Sequence, residues 1–268
     1  MGTEIRKGKV YVVISGKGGV GKTTSTINLG SSMNELGREV IIVDANLTTP
    51  NIGLHLGSPI VPISLNHVLS NDARVEDAIY EHESGTKILP ASLSIDKLKD
   101  IDSSKLSDVS KKLRKIADHI FLDASAGLGD EARGAIAAGD EIIIITNPEI
   151  SAVTDALKTI KLAEEMNKIV LGVIITRSTG KPWEMDIPTI RDMLEVPILG
   201  IVPEDDAVKE SQRMKKPVIH SHPKSKSAKE YRKIARKILG PEYIKKVKNI
   251  EKKTEGFFKK FLRSIGLG

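Results

Sequence analysis

None of the 268 residues is cysteine, and that absence removes several chemistries at once. A disulfide framework, a thiolate zinc centre, a cysteine-ligated iron–sulfur cluster and a cysteine nucleophile are all excluded. Aromatic residues are scarce, at 3%, and glutamine occurs once, as Gln212. With abundant Lys, Glu and Ile, this composition fits a thermophilic source. No run of 18 or more apolar residues is present, so no segment reads as a helix that crosses a bilayer. The polar stretch at 1–9 leads straight into a strand pattern, without the apolar centre of a secretion signal. The expectation is an intracellular, cytoplasmic protein with peripheral membrane contact at most.

What remains is globular in composition, 40% apolar and 28% charged, and long enough for one large α/β domain. The charge is unevenly spread. Residues 1–208 carry 22 Lys and Arg against 30 Asp and Glu, a net of −8, whereas residues 209–268 carry 19 against 5, a net of +14. Three of the four Phe stand at 257, 258 and 261. The chain thus reads as an acidic body with a basic, apolar-studded end.

Short apolar runs rich in β-branched residues predict strands over 10–15, 39–44, 86–89, 119–123, 141–146, 169–176 and 197–202. Helical patterns over 22–36, 103–117, 130–138, 151–166, 187–194 and 205–214 fall between them. The alternation predicts an α/β fold, a doubly wound, mostly parallel sheet with helices on both faces. Gly240-Pro241 marks a break. The expected organisation is one α/β domain over 1–240, a basic linker or helix over 241–256 and an amphipathic helix over 257–268.

After the first predicted strand, Ser15-Gly16-Lys17-Gly18-Gly19-Val20-Gly21-Lys22-Thr23-Thr24 satisfies G-x-x-x-x-G-K-[ST], with a strand before it and a helix after it. Glycines let backbone N–H groups turn inward around phosphate oxygens, and the helix start directs its positive dipole end at the anion. Lys22 is expected on the β- and γ-phosphates and the Thr23 hydroxyl on Mg²⁺. Lys17 adds a second cation beside the polyphosphate, or is a solvated loop lysine.

With Lys17 the loop resembles the deviant phosphate-binding motif, KGGVGKTT, of the MinD/ParA family of P-loop ATPases. The resemblance implies Mg·ATP as ligand and an ATP-dependent homodimer in which Lys17 reaches the partner's nucleotide. Further positions carry it along the body. Asp44, ending Ile41-Ile42-Val43-Asp44, resembles the first switch aspartate near the metal, and Asn51 the switch asparagine near the γ-phosphate. Asp123, in Phe121-Leu122-Asp123-Ala124-Ser125-Ala126-Gly127, resembles the aspartate that holds Mg²⁺, with Ser125 where the family has Pro. Thr176-Arg177 stands where the family has Asn-Arg, and Val202-Pro203-Glu204-Asp205 where its adenine pocket forms. The implied nucleotide contacts are therefore residues 16 to 24, Asn51, Arg177, Pro203, Glu204 and Asp205. Relatives that assemble iron–sulfur clusters or reduce dinitrogen use interface cysteines, which this chain lacks.

One departure bears on turnover. Two residues after Asp44 the family carries a second aspartate that positions or activates the attacking water, and this chain has Asn46. A neutral amide accepts a hydrogen bond but takes no proton, and losing a positioned base costs ~10²–10⁴ in rate. Nucleotide binding is expected to survive while hydrolysis is slow or absent.

At the C-terminal end, Phe257, Phe258, Phe261, Leu262 and Ile265 fall on one helical face, with Lys259, Lys260 and Arg263 on the other side. An anionic membrane offers both apolar burial and attraction for lysines, ~1 kcal/mol each near the surface. This pattern also resembles MinD, in which the tail is useful on the ATP dimer because two weak anchors act together. The other readings are a groove on the domain or on an unidentified protein partner, and nucleic acid bound by a ParA-like ATPase. A non-hydrolysing, ATP-locked scaffold is a further alternative.

Overall fold

A computed structural model describes residues 8–94 and 102–240. The central strands pack apolar residues on both faces. In β1 (Lys9–Ser15), Val10, Val12 and Ile14 enter one core while Tyr11 and Val13 enter the other, as the two-residue period of a strand dictates. β2 (Val40–Ala45), β5 (His119–Ala126) and β6 (Glu141–Thr146) read as near-continuous apolar runs for the same reason. With β3 (Tyr80–Glu81), β4 (Lys87–Leu89), β7 (Ile169–Ser178) and β8 (Ile198–Pro203) they form an eight-stranded sheet in the order β3-β4-β2-β5-β1-β6-β7-β8 among the described residues. The pairings are parallel except β3–β4. Each predicted strand is present, and β3 is an addition. It is two residues long at the sheet edge, too short for a periodicity to register.

Helices cover both faces. On one lie α1 (Lys22–Glu35), the short α2 (Ile52–His55) and, later in the chain, α8 (Asp206–Arg213), α9 (Val218–Ser221) and α10 (Lys226–Leu239); on the other lie α3 (Leu65–Leu69), α4 (Leu106–Leu113), α5 (Asp130–Ala138), α6 (Ile150–Glu165) and α7 (Ile187–Leu194). Because β1 lies between β5 and β6 while β2 lies beyond β5, crossovers diverge from the carboxyl end of β1, and a crevice opens there.

Three sequence expectations need correction. The single helix expected over 103–117 is a 3₁₀ turn at Ser103–Lys105 followed by α4, because Asp102 caps the first turn through Ser104 and the chain turns after Leu113 to feed β5. α10 was not expected at all, although Tyr231, Ile234 and Ala235 give it a buried stripe that packs on α1 and β8. Consequently the basic end is not wholly a tail. Nine of the fourteen net positive charges of residues 209–268 lie within 209–240, on the outer surface of folded elements. The basic linker over 241–256 and the tail residues Phe257 to Ile265 lie outside the described residues.

Candidate functional site

The loop between β1 and α1 owes its shape to contacts behind it. At Gly16 a Cβ would meet the Asp155 carbonyl oxygen at 2.3 Å, so only glycine permits the close approach to α6. Gly21 has φ +88°, the left-handed region that glycine adopts without strain, and it opens α1. The carbonyls of the loop are turned outward and held: the Thr176 hydroxyl lies 2.5 Å from the Val20 oxygen, and Arg177 Nη1 donates to the Gly19 oxygen at 3.1 Å. With the Gly19 and Val20 carbonyls held by those partners, the glycine-rich loop at the start of α1 suits an anion nest at a helix N-terminus.

Inside the nest Lys22 Nζ lies 3.1 Å from Asp123 Oδ1. Thr23 Oγ1 donates to Asp123 Oδ2 at 2.6 Å, and Thr26 Oγ1 to Oδ1 at 3.0 Å. Thr26 went unpredicted, yet it follows Thr23 by three residues on one face of α1 and so shares its carboxylate. Asp44 is the register partner of Asp123 across β2 and β5. Its Oδ2 accepts from the Asn51 and Ile52 amides at 2.8 and 2.9 Å, while the buried Oδ1 has no hydrogen-bond partner. Burial first, and the neighbouring Asp123 second, push the Asp44 carboxyl up to about 7.

An unpartnered buried oxygen on Asp44, beside an Asp123 carboxylate that holds the Thr23 hydroxyl, gives an oxygen donor set of the kind a hard cation takes. Magnesium would be held by Thr23 and by Asp44 or Asp123, with phosphate oxygens and water completing its shell. Among the described residues no group of three or more His, Asp or Glu forms a metal site by itself.

The switch loop is closed on itself. Asn46 Nδ2 donates to the Thr49 carbonyl at 2.6 Å, and Asn46 Oδ1 accepts from Thr49 Oγ1 at 3.1 Å. Asn51 Nδ2 donates to the same Thr49 carbonyl at 2.7 Å, and Thr48 bonds Glu131 of α5. Lys17 is half exposed, with its ammonium 3.6 Å from Glu149 and 3.3 Å from the Ser151 hydroxyl at the start of α6.

Two lobes meet at the loop. A lobe of about 380 Å³ contains Lys22, Thr23, Asn46, Asn51 and the unpredicted Thr49 and His55. The other, of about 210 Å³, runs between Arg177, Pro203, Glu204 and Asp205 and over Tyr231 of α10. Arg177, at φ +55°, joins them, since its Nε bonds Glu204 at 3.2 Å while its Nη1 holds Gly19. Asp205 caps α8 through the Ala207 amide and receives the amide and hydroxyl of Ser227, fixing α10 beside the lobe. The sequence residues expected at the nucleotide therefore converge, with Lys17 set to one side. His55 and Tyr231 carried no motif, and only the fold brings them in.

A phosphate nest, a buried aspartate pair and an adjoining second lobe define a P-loop nucleotide-binding protein. The CobQ/CobB/MinD/ParA nucleotide-binding domain matches residues 11–218. An uncharacterised ATP-binding protein of Methanocaldococcus jannaschii is 35% identical over 94% of this chain and 95% of its own length. The septum site-determining protein MinD of Pyrococcus horikoshii, solved with Mg-ADP, superposes with a TM-score of 0.82 at 36% identity, over 86% of this chain and 95% of that one. MinD in the MinC:MinD complex of Aquifex aeolicus superposes at 0.79 with 28% identity, over 87% of this chain and 96% of that one. The chain belongs to this family, as a MinD-like P-loop ATPase.

Proposed function

We propose that this protein is an ATP-dependent switch. It binds Mg·ATP across the two lobes, pairs with a second copy around the nucleotide, and in that state lies peripherally on the cytoplasmic face of the cell membrane to position the machinery of division. The observation that carries the reading is the unpartnered Asp44 oxygen on the strand beside Asp123, the carboxylate on which the lysine and threonine of the phosphate loop are parked. Lys22, now on Asp123, would reach the β- and γ-phosphates, and the Thr23 hydroxyl oxygen would be a ligand for the metal. Bound Mg²⁺ supplies charge neutralisation at the phosphate oxygens. Lys17, held only by exposed partners, is free to swing toward a partner's nucleotide at little cost.

Asn46 sets how long the switch stays on. Its amide nitrogen donates to the Thr49 carbonyl and its oxygen accepts from the Thr49 hydroxyl, and a neutral amide held this way can orient a water but takes no proton from it. This favours an ATP-held state with slow turnover, from which a protein partner is recruited. The basic surface of α10 adds attraction to anionic lipid, while the apolar residues at 257, 258, 261, 262 and 265 supply burial.

The test is co-sedimentation with anionic liposomes in ATP and in ADP, using the full chain and a version ending at Gly256. The full chain is expected to pellet with ATP and the shortened one to stay in solution. Pelleting independent of nucleotide, or of the last twelve residues, contradicts the anchor. Tighter retention on duplex DNA than on lipid favours the ParA-like reading.

A further inference from the structure

The two lobes share four residues, Gly19, Gly21, Thr24 and Gln212. Three belong to the phosphate loop and the first turn of α1. The fourth, the chain's sole glutamine, comes from the last turn of α8, 188 positions away in sequence. Val208 and Lys209 of the same helix also line the second lobe, so Gln212 stands where that wall reaches the loop.

Gln212 Nε2 donates to Thr24 Oγ1 at 3.1 Å. A threonine hydroxyl has one proton and two lone pairs, and the amide occupies a lone pair. The proton of Thr24 is therefore left to donate onward, and among the described residues it has no protein acceptor. Thr24 is nevertheless buried, at 8% exposure, with its remaining access through the lobes. The hydroxyl opens on both lobes, so its free proton is directed at whatever fills their junction, and a ligand anion there accepts it. A ligand that fills both lobes crosses this junction with the part that links its two ends, and in a nucleoside polyphosphate that part is the α-phosphate and sugar.

We infer that Gln212 is a positioning residue for nucleoside polyphosphates. It fixes the Thr24 hydroxyl so that its proton meets an α-phosphate oxygen, and it ties the α8 wall of the base lobe to the phosphate loop. This rests on the nucleotide reading of the cleft. An alanine at 212 frees the Thr24 hydroxyl to rotate. A glutamate is worse, because a carboxylate only accepts, draws the Thr24 proton away from the phosphate and adds like charge beside it.

The test is calorimetric titration of Mg·ADP into the wild type, Gln212→Ala, Gln212→Glu, Thr24→Val and the Gln212→Ala, Thr24→Val pair, with thermal melts of the nucleotide-free proteins as the folding control. Gln212→Ala is expected to weaken ADP about tenfold and Gln212→Glu further, with unliganded melts unchanged. In the Thr24→Val background Gln212→Ala is expected to cost less than twofold, because the residue acts through that hydroxyl. An equal cost in both backgrounds, or wild-type affinity in Gln212→Ala, overturns the inference while leaving the nucleotide site intact. Absence of ADP binding by the wild type overturns the nucleotide reading, and this inference with it.

Discussion

The same two central strands end in charge at both edges of the sheet, and the two edges handle it differently. At the amino ends of β1 and β5, the charges are matched and partly wet. Lys9 pairs with Glu141 at 2.5 Å, and Arg114 grips Asp140 with two bonds while that carboxylate also receives the Val10 amide. Tyr11 stacks between His119 and Phe121, at 5.8 and 5.1 Å. At the carboxyl ends, Lys22 and Asp123 are paired almost without water, at 10% and 0% side-chain exposure, and Asp44 keeps an oxygen unpaired. Paired surface charge adds little stability and is easily given up. Buried, half-satisfied charge is costly to hold. A fold retains it where a ligand completes it, which supports the second edge as the candidate site and the first as scaffold.

Breaking the buried pair has the largest effect. Lys22→Ala is expected to abolish nucleotide binding by titration and to cost ~3 kcal/mol in denaturant unfolding, because Asp123 is left charged in a dry pocket. At the opposite edge Arg114→Ala is expected to cost only ~1 kcal/mol, its pair being partly exposed. A similar loss in both variants would erase the distinction.

The amino edge has its own titration. Burial, with Arg38 second, lowers the His119 imidazole to about 4 from an unfolded value near 6.5. The unfolded chain therefore binds the extra proton between these values, so the stability His119 contributes is full above pH 6.5 and is lost as pH falls toward 4. Unfolding measured across that window is expected to drop by ~2 kcal/mol, and His119→Phe to flatten the limb while keeping the stack on Tyr11.

Asp44 has the opposite sign. Its folded value lies above the unfolded one, so its contribution is full below about pH 4 and is lost as pH rises through about 7. The nucleotide-free protein at pH 8 is expected to gain ~1 kcal/mol from Asp44→Asn, which keeps an acceptor for the Asn51 and Ile52 amides. The same variant is expected to bind Mg·ADP more weakly by titration. A stability loss instead would mean that Asp44 is a structural cap.

Much of this site was legible because its signals are local. The glycines, Lys22 and Thr23 follow one another, and Asp44 and Asp123 stand at the ends of unmistakable apolar runs. Arg177 and Asp205 are reached only through the family resemblance of Thr176-Arg177 and Val202-Pro203-Glu204-Asp205, and their work as struts on Gly19 and Ser227 appears only in the folded chain. Gln212, Tyr231 and His55 carry no local signal, since what matters is a partner or a cavity reached across the fold. α10 escaped for a different reason: dense Lys and Arg on its outer face masked a buried stripe of Tyr231, Ile234 and Ala235, and made a packed helix read as part of a charged tail.

Single-turnover phosphate release from prebound Mg·ATP tests most directly whether Asn46 holds the proposed switch in its ATP state. The wild type is expected to release phosphate ~10²-fold more slowly than Asn46→Asp, whose carboxylate cannot donate to the Thr49 carbonyl and is freed toward water. Rates within about threefold of each other contradict the account.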